Sequence, residues 1–81
     1  MSEQDTNTPP QSELVSTIGI NIRRERLARK ISIGELAEYI GCNYATITKY
    51  ENGKINISMN KLAKIAEYLD VPVETLLKKE N

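Results

Sequence analysis

Apolar residues return every third or fourth position in successive stretches of this chain. Leu14, Ile18 and Ile22 repeat every four and predict an amphipathic helix over residues 13–29. The same stripe runs on into Arg26, and an arginine on a buried stripe needs a partner. Ser32 and Glu35 then form a capping-box pair that opens a second helix, which buries Leu36, Ala37 and Ile40 and stops at Gly41. Asn43 as N-cap and Gly53 as C-cap enclose a third helix over residues 44–52. Residues 54–57 read as a loop. Ser58 caps a fourth helix with Leu62, Ile65, Ala66 and Leu69 at 3-and-4 spacing, ended by Asp70-Val71-Pro72. Pro72 leads into a last short helix through Leu77. With no strand pattern, the chain is expected to be all-α.

The third helix is too short to stand alone in water, so one side must be packed. Ile47, Tyr50 and Glu51 share one face; Tyr44, Ala45, Thr48, Lys49 and Asn52 share the other. The first face points inward, which makes Tyr50 a core residue and gives Arg26 its partner in Glu51. Between Gly41 and Tyr44 only a tight turn fits, so helices 2 and 3 are expected to cross closely, with the small Ala37 facing Ile47. The second face is polar, compact and free of acid. It is built to touch something.

Composition limits what that can be. Eighty-one residues make one small domain, expected over residues 13–78, with a disordered polar tail at 1–12 and a short tail at 79–81. No Phe or Trp is present, so the core must be aliphatic with some Tyr. The absence of His and a single Cys leave no metal ligand set and no internal disulfide, and no cofactor is expected. Cys42 reads as a buried thiol in a reduced, cytoplasmic chain without a signal peptide or membrane span. An enzyme is disfavoured, since no thiolate pair or carboxylate dyad is placed in a plausible pocket.

The net charge is zero, but its distribution is not even. Residues 18–64 carry nine bases against four acids, +5, while residues 1–17 carry −3 and residues 65–81 carry −2. The basic middle is a localised patch of the kind that meets nucleic acid.

The order Arg26, Ser32, Glu35-Leu36-Ala37, Gly41, Ile47, Glu51-Asn52-Gly53-Lys54, then Leu62-x-x-Ile65-Ala66-x-x-Leu69-x-Val71, resembles the Xre-type helix-turn-helix domains of phage Cro and repressor proteins. The resemblance covers residues 18–77. It implies a compact five-helix, lambda-repressor-like DNA-binding domain, with helix 2 across the DNA backbone and helix 3 in the major groove. Three positions depart from the family pattern. Ile33 stands where Gln commonly bonds a phosphate, Lys30 stands where Gly is usual after helix 1, and Tyr44 replaces a small or amide residue. Lys30 is therefore expected to take a left-handed conformation.

From this reading Asn43, Tyr44, Ala45, Thr48 and Lys49 are candidates to approach base edges, Asn43 by pairing with adenine and Lys49 with guanine. Ser32, Asn52, Lys54, Ser58 and Lys61 are candidates for phosphate contacts, Lys54 and Lys61 being otherwise ordinary solvated lysines. Ile57, Val73 and Leu77 are apolar beyond what a small core needs, and related proteins pair through this region, so they form a candidate dimer interface. The expected function is a sequence-specific transcriptional regulator, a repressor bound to a palindromic operator as a homodimer. The rival class is a protein-interaction module or antitoxin-like subunit whose acidic ends hold a regulatory protein partner. Without a separate ligand domain, control is expected through concentration, competition or such a partner.

Overall fold

The computed structural model describes residues 11–79, all of whose regular structure is helical: α1 (Gln11–Ala28), α2 (Ile33–Ile40), α3 (Tyr44–Glu51), α4 (Met59–Leu69) and α5 (Val73–Leu77). The tail expected at residues 1–12 lies outside these residues up to position 10, and residues 11 and 12 belong to α1.

The N-caps are the ones the sequence sets out. Ser32 Oγ accepts from Glu35 N at 3.0 Å while Glu35 returns a bond to Ser32 N, completing a capping box. Ser58 Oγ accepts from Lys61 N at the head of α4. Lys30 closes α1 at φ 57°, with Ile31 N donating to Arg26 O and Lys30 N to Leu27 O. This is the left-handed closure that a glycine would make without strain. Asp70 closes α4 in the same way at φ 62°.

All five helices turn apolar side chains toward one core: Ile18 and Ile22 from α1, Leu36 and Ile40 from α2, Ile47 and Tyr50 from α3, Leu62, Ile65 and Leu69 from α4, and Leu76 from α5. The expected α1 stripe is displaced at its start. Leu14 is 40% exposed, because this end of the helix reaches beyond the core. Gly19 and Asn21 are buried instead.

Gly19 marks the crossing of α1 over α3. A Cβ placed there would stand 2.3 Å from Tyr50 O and 2.7 Å from Glu51 O, so the two backbones touch where only a hydrogen fits. Asn21 is 1% exposed and donates through Nδ2 to Leu76 O and Lys78 O, both at 2.8 Å. Those carbonyls lie at the end of α5, where no further helical turn exists to satisfy them. One buried amide thus ties the last helix to the first.

Candidate nucleic-acid interface

Ile47, Tyr50 and Glu51 are all buried, and they seat α3 on the core by the face the spacing assigns. Arg26 meets Glu51 there in a bidentate fork: Nε donates to Oε2 at 2.6 Å and Nη2 to Oε1 at 3.0 Å. A third donor, Nη1, reaches Ile31 O at 2.8 Å, so the guanidinium joins α1, the turn before α2, and α3. The bonds to Glu51 push the Arg26 pKa further up from an already high value, which keeps the buried group charged. Tyr50 is core, and burial raises its hydroxyl pKa.

Seated in this way, α3 offers its other face to solvent. Tyr44, Ala45 and Lys49 are exposed, Tyr44 to 61%, and Thr48 is half-buried. Among the described residues no hydrogen bond or ion pair engages the side chains of Lys49, Lys54 or Lys61. Thr48 Oγ donates back to Tyr44 O at 3.3 Å, leaving its oxygen free to accept.

Asn43 carries a restriction that the sequence did not disclose. Its Oδ1 accepts from both Thr46 N, at 2.9 Å, and Thr46 Oγ1, at 2.8 Å, so both lone pairs serve the cap. A two-bond pairing with adenine needs that oxygen; as placed, Asn43 can only donate through Nδ2. Thr46 was not among the expected residues, and its role depends on the side-chain rotamer.

The far end of α3 is closed in two steps. Asn52 is the C-cap residue, and Gly53, expected in that position, follows it at φ 68°. Gly53 N donates to Tyr50 O and Lys54 N to Lys49 O, which turns the chain sharply and leaves Asn52 and Lys54 exposed beside the helix end. A Cβ on Gly53 would also press on Ser16 of α1, 2.9 Å from its Oγ. Ser32 and Ser58 both use their oxygens as acceptors at helix starts, and each keeps a hydroxyl proton to donate. Lys61 lies close enough to Cys42 to oppose the upward pKa shift that burial imposes on that thiol. Cys42 is half-buried against the core, less enclosed than expected. Ile33, in the place of a phosphate-binding Gln, also packs against the core.

Ile57 and Val73 are partly buried against the core, so they are less available than the spacing suggested. Leu77 is 39% exposed. With Leu14, Ile57, Met59 and Leu62 it lines an apolar groove of about 280 Å³ on the α1–α4–α5 side. Among the described residues no group of His, Cys, Asp or Glu could hold a metal ion, and no helix is long and apolar enough to cross a membrane.

The helix-turn-helix family model matches residues 22–76. An uncharacterized transcriptional regulator in the ATPase CF(0) region of Rhodospirillum rubrum is 35% identical over 74 residues, 91% of this chain and 67% of that protein. Proteins of Methanococcus maripaludis named as HTH-type transcriptional regulatory proteins are 46% identical over 59 residues, which is 73% of this chain. The chain spans only 18% of the length of those relatives. Among solved structures, the master regulator for biofilm formation SinR, in complex with DNA, superposes with a TM-score of 0.68 at 37% identity, covering 75% of this chain and 98% of that one.

Proposed function

Because this chain belongs to the helix-turn-helix family, we propose that it is a sequence-specific DNA-binding transcriptional regulator that inserts α3 into the major groove. The observation that carries this is the division of α3: an inward face fixed by Ile47, Tyr50 and the Arg26–Glu51 fork, and an outward face with uncommitted donors. Lys49 reads a base edge, with Tyr44, Ala45, Thr48 and the Asn43 amide nitrogen beside it. Asn52, Lys54, Lys61 and the hydroxyls of Ser32 and Ser58 hold phosphates and set the register. An eight-residue helix reads few base pairs, so a second copy is needed to mark a site, and the operator is palindromic. Bound in this way, the protein acts as a repressor, by occupying DNA that other proteins need.

Titrating single-lysine variants on an operator selected from genomic fragments tests the reading. Lys49→Ala is expected to cost about 1–3 kcal/mol on that operator and little on random duplex, relaxing one position. Lys54→Ala is expected to weaken both duplexes alike and to lower the salt slope by about 1 per subunit. The reverse pattern, with Lys54 discriminating and Lys49 indifferent, removes α3 as the reading element.

The groove beside Leu77 supplies the dimer contact. The expected dimer is weak in solution and tightened by DNA, so Leu77→Glu lowers operator affinity while the folded fraction stays unchanged. Sedimentation of the protein with its operator checks this, and a strictly one-to-one complex rules the dimer out.

A further inference from the structure

Away from the outward face of α3, two tyrosines stand together on the surface. Tyr39 of α2 and Tyr68 of α4 stack with ring centroids 4.5 Å apart and planes inclined by 32°. Together with Glu35 and Glu38 they line a shallow concavity of about 210 Å³, and Tyr39 is 44% exposed. Tyr68 donates its hydroxyl to Glu35 Oε2 at 2.5 Å, while Glu35 Oε1 serves the cap of α2. The arrangement is therefore tied to the helix start and is held in place.

Three carboxylates surround the rings: Glu35 and Glu38 from α2, and Glu67 from α4. Among the described residues no ion pair includes any of them, and Lys64, one turn before Tyr68, makes none with them. Desolvation and then Glu67 raise the hydroxyl pKa of Tyr39; the bond to Glu35 and then desolvation raise that of Tyr68. Both rings stay neutral at physiological pH. Their faces attract a cation, and the carboxylates add full charges around them. DNA phosphates are repelled here, although Glu35, Glu38 and Tyr39 lie within the basic middle of the sequence.

We propose that the Tyr39–Tyr68 concavity docks a basic segment of a protein partner, with an arginine or lysine side chain over a tyrosine ring and neighbouring cations at Glu38 and Glu67. Charge complementarity selects the occupant. The carboxylates are spread over two helices, a spacing that several cations on one segment meet better than one small cation does. The proposal stands apart from DNA reading, since none of these residues belongs to the face of α3.

Hexa-arginine peptide titrated into the full chain, followed by NMR, tests it, with tetramethylammonium as the small-cation control. Saturable shifts are expected at the Tyr39 and Tyr68 rings and at Glu38 and Glu67. Tyr39→Ala and Glu38→Gln should each weaken binding about tenfold. Glu67→Gln, at an exposed position, removes the charge beside Tyr39 while keeping an amide oxygen that its hydroxyl can donate to, and gives a second variant with the same expected direction. Shifts spread evenly over Glu13, Glu25 and Glu74, or binding unchanged in the variants, overturn the proposal. Tetramethylammonium binding as tightly as the peptide makes the site a small-cation pocket and overturns it as well.

Discussion

Arg26→Ala and Glu51→Ala are each expected to destabilise the fold by about 3–5 kcal/mol, lowering the melting temperature by more than about 12 °C. Their side chains are 7% and 3% exposed, so removing either strips a buried charge of its close partner, Glu51 keeping only Arg23 Nη1 at 3.9 Å from its Oε1. The pair itself need not stabilise the fold by that amount. Much of the loss is the cost of the orphaned partner, and Arg26→Ala additionally strips a donor from Ile31 O. Replacing both at once, Arg26→Met with Glu51→Leu, should recover most of the loss, because matched apolar side chains carry no desolvation cost. Thermal and urea denaturation of the two single variants and the double variant measure these terms together. Either single variant melting within a degree of the parent shows that the fork is not buried as described.

Gly19→Ala should destabilise by about 1–3 kcal/mol or more, against the helix-propensity gain of about 1 kcal/mol that an alanine brings inside a helix. The two effects have opposite signs, which makes the outcome decisive. The new methyl would overlap the carbonyl oxygens of Tyr50 and Glu51, and backbone cannot rotate away as a side chain end can. α1 and α3 must move apart, and the separation also stretches the Arg26–Glu51 fork two turns further along α1. Operator affinity is therefore expected to fall by more than the folded fraction accounts for. A melting temperature that rises would show that the helices do not touch at Gly19.

The positions legible in the sequence are those whose cause is local. Ser32, Asn43 and Ser58 cap because the next three residues supply the amides, whereas the left-handed Lys30 was legible only through the resemblance, which has glycine at that place. Arg26 and Glu51 were legible for a different reason: each is a charge on an apolar stripe, and two such misfits imply each other. Gly19, Asn21 and the Tyr39–Tyr68 stack gave no such signal. Asn21 acts on carbonyls 55 and 57 residues away, and a glycine inside a helix looks the same whether it faces water or another backbone. Leu14 shows the converse error. Its spacing is that of a core residue, but periodicity does not tell where along a helix the core ends.

The seating of α3 also governs how it moves. Its amides are tied by Asn43 at one end and by the turn through Gly53 and Lys54 at the other, and its buried face rests on α1 and α2. Nothing in that arrangement lets α3 open while its neighbours stay closed. Hydrogen exchange is expected to place the helix in the slowest-opening unit, its protection set by global unfolding and not by local fraying. If α3 reads DNA as proposed, it would meet the duplex already formed, with little ordering entropy left to lose in its backbone.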